Sequence, residues 1–243
     1  MEQIDPECQS RNASAMGRQA DLLQGVKNLL FPVQCAGCGK WDSELCGDCR
    51  RTATRPIASK IIEDAAGYPS TELLCLGDYA GVLRSIILTA KHDRYRDYSE
   101  FLFEAGTHLG RAVGQRLAAV AKQPMLAPLW IVPAPSSHAR RRRRAEVVPT
   151  IADGVAEGVR RELVARVVDV PAVALHRGVG GQSGRSAGSR SSARLGAMDL
   201  VIAPPKQSIA VVVDDVVTTG TTMRGVLDAL GGHGVLAVAL AAA

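Results

Sequence analysis

The chain has 243 residues, of which 47% are hydrophobic, 22% charged and only 4% aromatic, with a formal net charge of +5. A chain of this length can bury one good core plus a small appendage. So few aromatics make that core aliphatic, as in the Val/Ala/Leu strands of a buried parallel sheet. The opening MEQIDPECQS has neither a basic n-region nor an apolar h-region, and no apolar run reaches the ~18 residues of a membrane span. A secreted or membrane-inserted protein is therefore not expected, and the cytoplasm is the default location.

Residues 1–20 are polar and are expected to be a flexible N-terminus. DLLQGVKNLLF, Asp21 to Phe31, has helical spacing and stops at Pro32. Four of the six cysteines follow in CAGCGKWDSELCGDC: Cys35, Cys38, Cys46 and Cys49. Each C-x2-C turn puts two sulfurs on one side of a tight loop, and two such turns facing each other make a tetrahedral S4 site suited to structural Zn2+. Disulfides are rare in the cytoplasm, and a redox pair would need one C-x2-C after a strand, not two back to back. Residues 21–55 thus form a helix and zinc knuckle, with little apolar core and folding energy expected from the metal. Cys8 is read as an exposed tail thiol and Cys75, in LLCLGDY, as a buried small apolar residue.

Residues 56–70 mix Pro, Gly and Ser and are expected to be a linker; a larger domain over 71–243 follows. LLCLGDY is a strand candidate, GVLRSIILTAK a helix, KHDRYRDY a polar loop, and Ser99 to Ala121 one long amphipathic helix. LWIVPAP, from Leu129, is a strand stopped by prolines. Five arginines in a row, Arg140 to Arg144, follow it. Glu146 to Val164 is helical with Pro149 in its first turn. VVDV and AVAL are short strands around Pro171, residues 177–194 a Gly/Ser/Arg loop, IAVVV a buried strand, Thr222 to Leu230 a helix and VLAVALA a last strand. Such alternation predicts an α/β fold with an open, mostly parallel sheet and flanking helices.

VVVDDVVTTGTT, Val211 to Thr222, carries the chemistry. An apolar parallel strand delivers Asp214 and Asp215 to its carboxyl end, where ligands of such sheets bind. The loop Thr218, Thr219, Gly220, Thr221, Thr222 then opens a helix, whose N–H groups and dipole favour an anion. The carboxylates would repel a phosphate placed on them, but a few ångströms away they can accept from sugar hydroxyls. Phosphate at one end and a diol at the other describe a ribose 5-phosphate. No lysine follows the glycine, so this is not a nucleoside-triphosphate P-loop.

The stretch resembles the signature of type I phosphoribosyltransferases that binds 5-phosphoribosyl 1-pyrophosphate (PRPP). The chain from about residue 22 onward resembles the ComF family. The shared segments, in order, are LLFPVQCAGCGKWDSELCGDC, LTAKHDRYRD around Lys91, VPAPSSHARRRRR, HRGVGGQSGRSAGSR and the DD-TTGTT loop. The resemblance implies a zinc knuckle joined to a type I phosphoribosyltransferase domain, with PRPP as ligand and Mg2+ bound alongside it. Asp214 and Asp215 would hold the ribose hydroxyls, Thr218 to Thr222 the 5-phosphate, and Pro135 and Ser136 the pyrophosphate. Lys91 would reach the diphosphate, and Arg177, Gln182 and Arg190 would belong to a flexible hood. Where family members follow the basic run with Gly-Phe-Asn-Gln, this chain has Ala145-Glu146-Val147-Val148, and the asparagine common after the hood arginine is missing near Ala193.

ComF proteins are linked to DNA uptake, which sets a second reading beside transfer to a nitrogen acceptor. That reading is a non-catalytic PRPP sensor or single-stranded-DNA module, working with other competence-machinery proteins. Against it, three Phe, four Tyr and two Trp leave few stacking platforms, Tyr95 and Tyr98 among arginines being the interleaved ones.

Overall fold

The computed structural model describes residues 33–62, 70–93, 95–120, 127–135, 147–175 and 198–243. The helix predicted over residues 21–31, Cys8, Ser136, the arginine run, and Arg177, Gln182 and Arg190 lie outside them.

The sheet is organised around the most apolar strand. β7, Ile209–Val217, lies between β3, Leu129–Pro133, and β8, Gly234–Ala242, parallel to both. All three are near-continuous Val/Ala/Leu/Ile runs, as strands covered on both faces must be. β2, Thr71–Cys75, extends the sheet parallel to β8, and β4, Val167–Asp169, extends it parallel to β3. β1, Ala58–Ile62, closes one edge antiparallel to β2, giving the order β1-β2-β8-β7-β3-β4. Residues 56–70, expected to be a linker, thus contribute a strand. The run ASKII alternates exposed and half-buried side chains, as an edge strand does.

Side chains alternate along β7, so its core residues divide between two clusters. Val211 and Val213 face α2 (Gly81–His92), α3 (Ser99–Val120) and α4 (Val147–Glu162); α1 (Gly47–Arg50) and a 3-10 turn, Arg51–Thr54, pack on the same side. Ala210 and Val212 face α5 (Thr221–Ala229) and the antiparallel pair β5 (Val173–Leu175) and β6 (Met198–Leu200). β6 has no counterpart among the predicted elements. Pro149 stands in the first turn of α4, where no intrahelical N–H is needed.

α3 and α4 meet almost backbone to backbone. A Cβ on Gly110 would lie 2.8 Å from Val155 Cα and nearer still to the Val155 carbonyl oxygen. One on Gly158 would lie 2.7 Å from the Arg111 nitrogen and nearer still to Thr107 O. Gly106 and Gly154 are placed the same way against Ile151 O and Phe103 O. Residues four apart share a helix face, so each helix presents a glycine groove to the other.

Candidate functional site

The cysteine module is built by two turns. Cys35 N–H donates to Lys40 O at 2.8 Å, Gly39 N–H to Cys35 O at 2.9 Å, and Gln34 bridges Trp41, which closes the first turn. Gly39 has φ +75°, a left-handed conformation that favours glycine. The second C-x2-C runs into α1, which carries Cys49. The ligand atoms of Cys35, Cys38, Cys46 and Cys49 all lie within 4.8 Å of one another. Cys38 Sγ and Cys46 Sγ are 3.7 Å apart, close to the edge of ~3.8 Å that tetrahedral Zn–S bonds of ~2.3 Å require. The residues present therefore fit a four-thiolate metal ion.

Thiolate formation is already favoured at one sulfur. Burial pushes the Cys35 thiol up, but the N–H groups of Cys38, Cys46 and Gly37 outweigh it and bring the thiol down to about 6. Burial and the neighbouring sulfurs push Cys49 up, so a cation is what lets all four ionise together.

The module is welded to the sheet's helices. Cys35, Ala36, Cys49 and Ala53 belong to the same buried cluster as Leu83, Ile86 and Phe101. A Cβ on Gly37 would meet Cys49 Sγ at 2.6 Å and Val82 Cγ1 at 2.9 Å, so glycine lets the turn sit against both the sulfur and the start of α2. Arg96, just beyond α2, donates from Nη1 to Gln34 O at 2.8 Å. Arg50 pairs with Glu100 at 2.7 Å, and His108 Nε2 donates to Arg55 O at 2.8 Å.

The acid pair lies further inside a strand than the sequence pattern implies. β7 does not stop at Val213: β8 pairs with it through Val217↔Ala242, whereas β3 leaves it at Pro133↔Val213. Among the described residues, Asp214 and Asp215 therefore sit on a strand paired on one side only. Ala134 N–H donates to Val213 O at 2.7 Å, and Pro135 follows it at the same end of the sheet.

Adjacent strand residues point to opposite faces. Asp215, 6% exposed, meets Lys91 Nζ at 2.9 Å on the α2 side. Lys91, where the predicted helix and loop overlap, is in the last turn of α2, and helix C-termini favour cations. Asp214 is half-buried and accepts the Asp215 N–H at Oδ1, 2.8 Å. Burial and the Asp215 charge raise the Asp214 carboxyl to about 7. Two adjacent acids thus differ: one is ion-paired, the other holds a proton near neutrality.

The threonine loop follows within one turn. Gly220, φ +69°, occupies the position that starts α5. Thr218 and Thr219 are exposed, Thr221 is buried, and Thr219 Oγ1 and Thr221 Oγ1 are 2.8 Å apart. The loop brings hydroxyls and the free N–H groups of a helix start beside the carboxylates.

Tyr98, read as a stacking platform, is only 5% exposed and belongs to the core, whereas Tyr95 is 97% exposed. Cys75 is fully buried, as its sequence context implies. Among the described residues no helix is long and apolar enough to cross a membrane. Sequence reasoning missed the Lys91–Asp215 pairing, for which no local signal exists, and the α3–α4 glycines, whose four-residue spacing is a signal.

Residues 152–243 match a family model described as a phosphoribosyl transferase domain, a span that contains the acid pair, the threonine loop and α5. No curated protein matches the chain. Among solved structures it is similar to a hypoxanthine phosphoribosyltransferase from Trypanosoma cruzi in a ternary substrates complex. The identity is 10% and the TM-score 0.31, over 58% of this chain and 65% of that one. The chain therefore carries a phosphoribosyltransferase-type domain in an α/β fold, together with a cysteine cluster able to hold a metal ion.

Proposed function

We propose that this protein is a ComF-type phosphoribosyltransferase. It binds PRPP with Mg2+ at the end of β7 and transfers the phosphoribosyl group to a nitrogen acceptor, releasing pyrophosphate. The observation that carries the reading is the junction of Asp214 and Asp215 with an anion-accepting helix start, one turn apart on the same chain segment. The family match over that segment supports it.

In this reading Asp214 and Asp215 accept from the 2- and 3-hydroxyls of the ribose. Thr218, Thr219, Gly220, Thr221 and Thr222 surround the 5-phosphate with hydroxyls and N–H groups. Pro135, after β3, and Ser136 would border the pyrophosphate, and Arg177 and Arg190 would belong to the hood that the ComF resemblance implies. Bound alongside PRPP, Mg2+ would supply charge neutralisation at the diphosphate. The acceptor nitrogen forms a bond to C1 as the C1–O bond to pyrophosphate breaks; pyrophosphate departs with the bonding electron pair and the nitrogen loses its proton. Rate enhancement then comes from positioning and electrostatic stabilisation of the leaving group. Zn2+ in the cysteine module is structural, because four thiolates leave no open position.

The ComF resemblance extends the proposal to a role in DNA uptake. The single-stranded-DNA reading is weakened by the burial of Tyr98. Calorimetry with PRPP, with and without Mg2+, tests the site on the native protein and on Asp214→Asn/Asp215→Asn. Micromolar, Mg-dependent binding abolished in the double variant is the expected result. No binding at millimolar PRPP by a folded, zinc-loaded sample overturns it. Binding without pyrophosphate release against any base or amine would identify a sensor instead of a transferase.

A further inference from the structure

The Lys91–Asp215 pair is the least expected feature of the site. The ammonium is carried by the last turn of α2, and its side chain is 18% exposed against 9% for Asp215. α2 is fixed at its start, where Val82 meets the Gly37 turn, and the chain beyond its end is tied to the cysteine module by Arg96 on Gln34 O. Its inner face, Leu83, Ile86, Ile87 and Ala90, is buried. Lys91 is thus aimed by a helix held at both ends.

We propose that Lys91 is a positioning residue that acts on the sugar through Asp215, rather than a ligand of the leaving diphosphate. The proposal rests on reading the end of β7 as a ribose site. If Lys91 swung to a phosphate, it would take from a nearly buried carboxylate, beside a second carboxylate, the cation that sits 2.9 Å from it, a change proteins strongly disfavour. With Lys91 in place, Asp215 keeps a counter-charge at 2.9 Å and its oxygens stay oriented. Burial and the Asp215 charge raise the carboxyl of Asp214, which has no such partner within the salt bridges of the described residues. Asp215 is accordingly a preset hydroxyl acceptor, and Asp214 the acid that gives up its proton when a diol arrives.

Two ligands separate the roles: ribose 5-phosphate, which lacks the diphosphate, and PRPP with Mg2+. Both are titrated into the full-length, zinc-loaded native protein and into Lys91→Met, Lys91→Arg, Asp215→Asn and Lys91→Met/Asp215→Asn. Lys91→Met is expected to weaken both ligands by the same factor. That factor should be about tenfold, within the range for residues coupled in one charge network. Lys91→Arg should regain most of it, and the double variant should bind no worse than Asp215→Asn alone. Loss of PRPP affinity with ribose 5-phosphate unchanged overturns the proposal, as do losses that multiply in the double variant. Should Lys91→Met fail to fold, the double variant and Lys91→Arg, judged against Asp215→Asn, still decide it. If the native protein binds neither sugar phosphate, the ribose reading falls and the proposal with it. If it binds both and only the variant pattern fails, the proposal falls alone.

Discussion

Both faces of the sheet are packed by aliphatic side chains, but only on one do two helices also meet backbone to backbone. On the α3–α4 face, glycines of each helix lie against carbonyl oxygens of the other, with no room for a methyl group. On the α5 face, Met223, Val226 and Leu230 fill the space against Ala210, Val212, Ala237 and Ala239. The first arrangement fixes two long helices at one separation. The second leaves a short helix whose start can serve a ligand, because its anchorage comes from aliphatic side chains further along. The difference teaches that the tightest packing is placed on the side of the cysteine module and not on the side of α5 and the threonine loop before it.

The largest effect should therefore come from the smallest addition. Gly110→Ala or Gly158→Ala should destabilise by about 3 kcal/mol, the upper end of overpacking costs. That would match the ~2–5 kcal/mol of cutting Met223 back to Ala on the other face. An ordinary helical glycine would instead gain ~1 kcal/mol on becoming alanine, so a stabilised variant in a urea titration breaks the comparison by sign alone.

Next comes the module that shares the glycine face. Cys46→Ser should abolish stoichiometric zinc by atomic absorption. It should lower Tm by about 10 °C, equivalent to roughly 3 kcal/mol for a chain of this size. Because Cys35, Cys49 and Ala53 share a cluster with α2 and α3, the loss should be global, with far-UV and near-UV signals melting together. A near-unchanged melt after zinc removal would mean that the module rides on the core without supporting it.

Gly220→Ala sharpens the other side. Its φ of +69° costs an L-residue about 1–2 kcal/mol, and its Cβ would reach Ile62 Cγ2 at 3.0 Å. A modest stability loss with a larger loss of sugar-phosphate affinity is expected by calorimetry. Equal losses would make the loop a structural turn.

The smallest effect is a proton. Burial and Asp215 raise Asp214 to about 7, so a ligand that needs the carboxylate must displace that proton at lower pH. Affinity should rise with pH up to about 7, by at most tenfold per unit, and then level off. Titrations at pH 6 in two buffers of different ionisation enthalpy should report close to one proton released, falling toward zero at pH 8. For the fold the sign is opposite. A carboxyl raised in the folded state contributes stability that is lost as pH climbs from the unfolded value of 3.8 toward 7.

The sequence announces what is contiguous. The four cysteines, the apolar start of β7, the acids and the threonine loop all lie in short runs whose spacing states their chemistry. The long helix over Ser99–Val120 has a clear period. What it hides depends on partners far along the chain. β1 looks like a linker because an edge strand needs apolar residues on one face only, and β6 is three residues long. β7 runs through its acids because β8 continues beside it to Ala242. Lys91 stands in sequence where a helix passes into a polar loop, and only the fold sets it on Asp215. The glycines at 106, 110, 154 and 158 were readable by spacing, but glycine usually signals a turn and here signals proximity.

The glycine contact also has a thermal character of its own. Where a side chain would begin, each of these glycines carries a hydrogen directed at a carbonyl oxygen of the opposite helix. Such Cα–H···O contacts are weak dipolar attractions, worth ~0.5–1 kcal/mol each, and they involve little hydrocarbon. Aliphatic burial loses strength on cooling; dipolar attraction does not share that dependence. At low temperature the contact between the two helices should therefore weaken less than the aliphatic packing of either face.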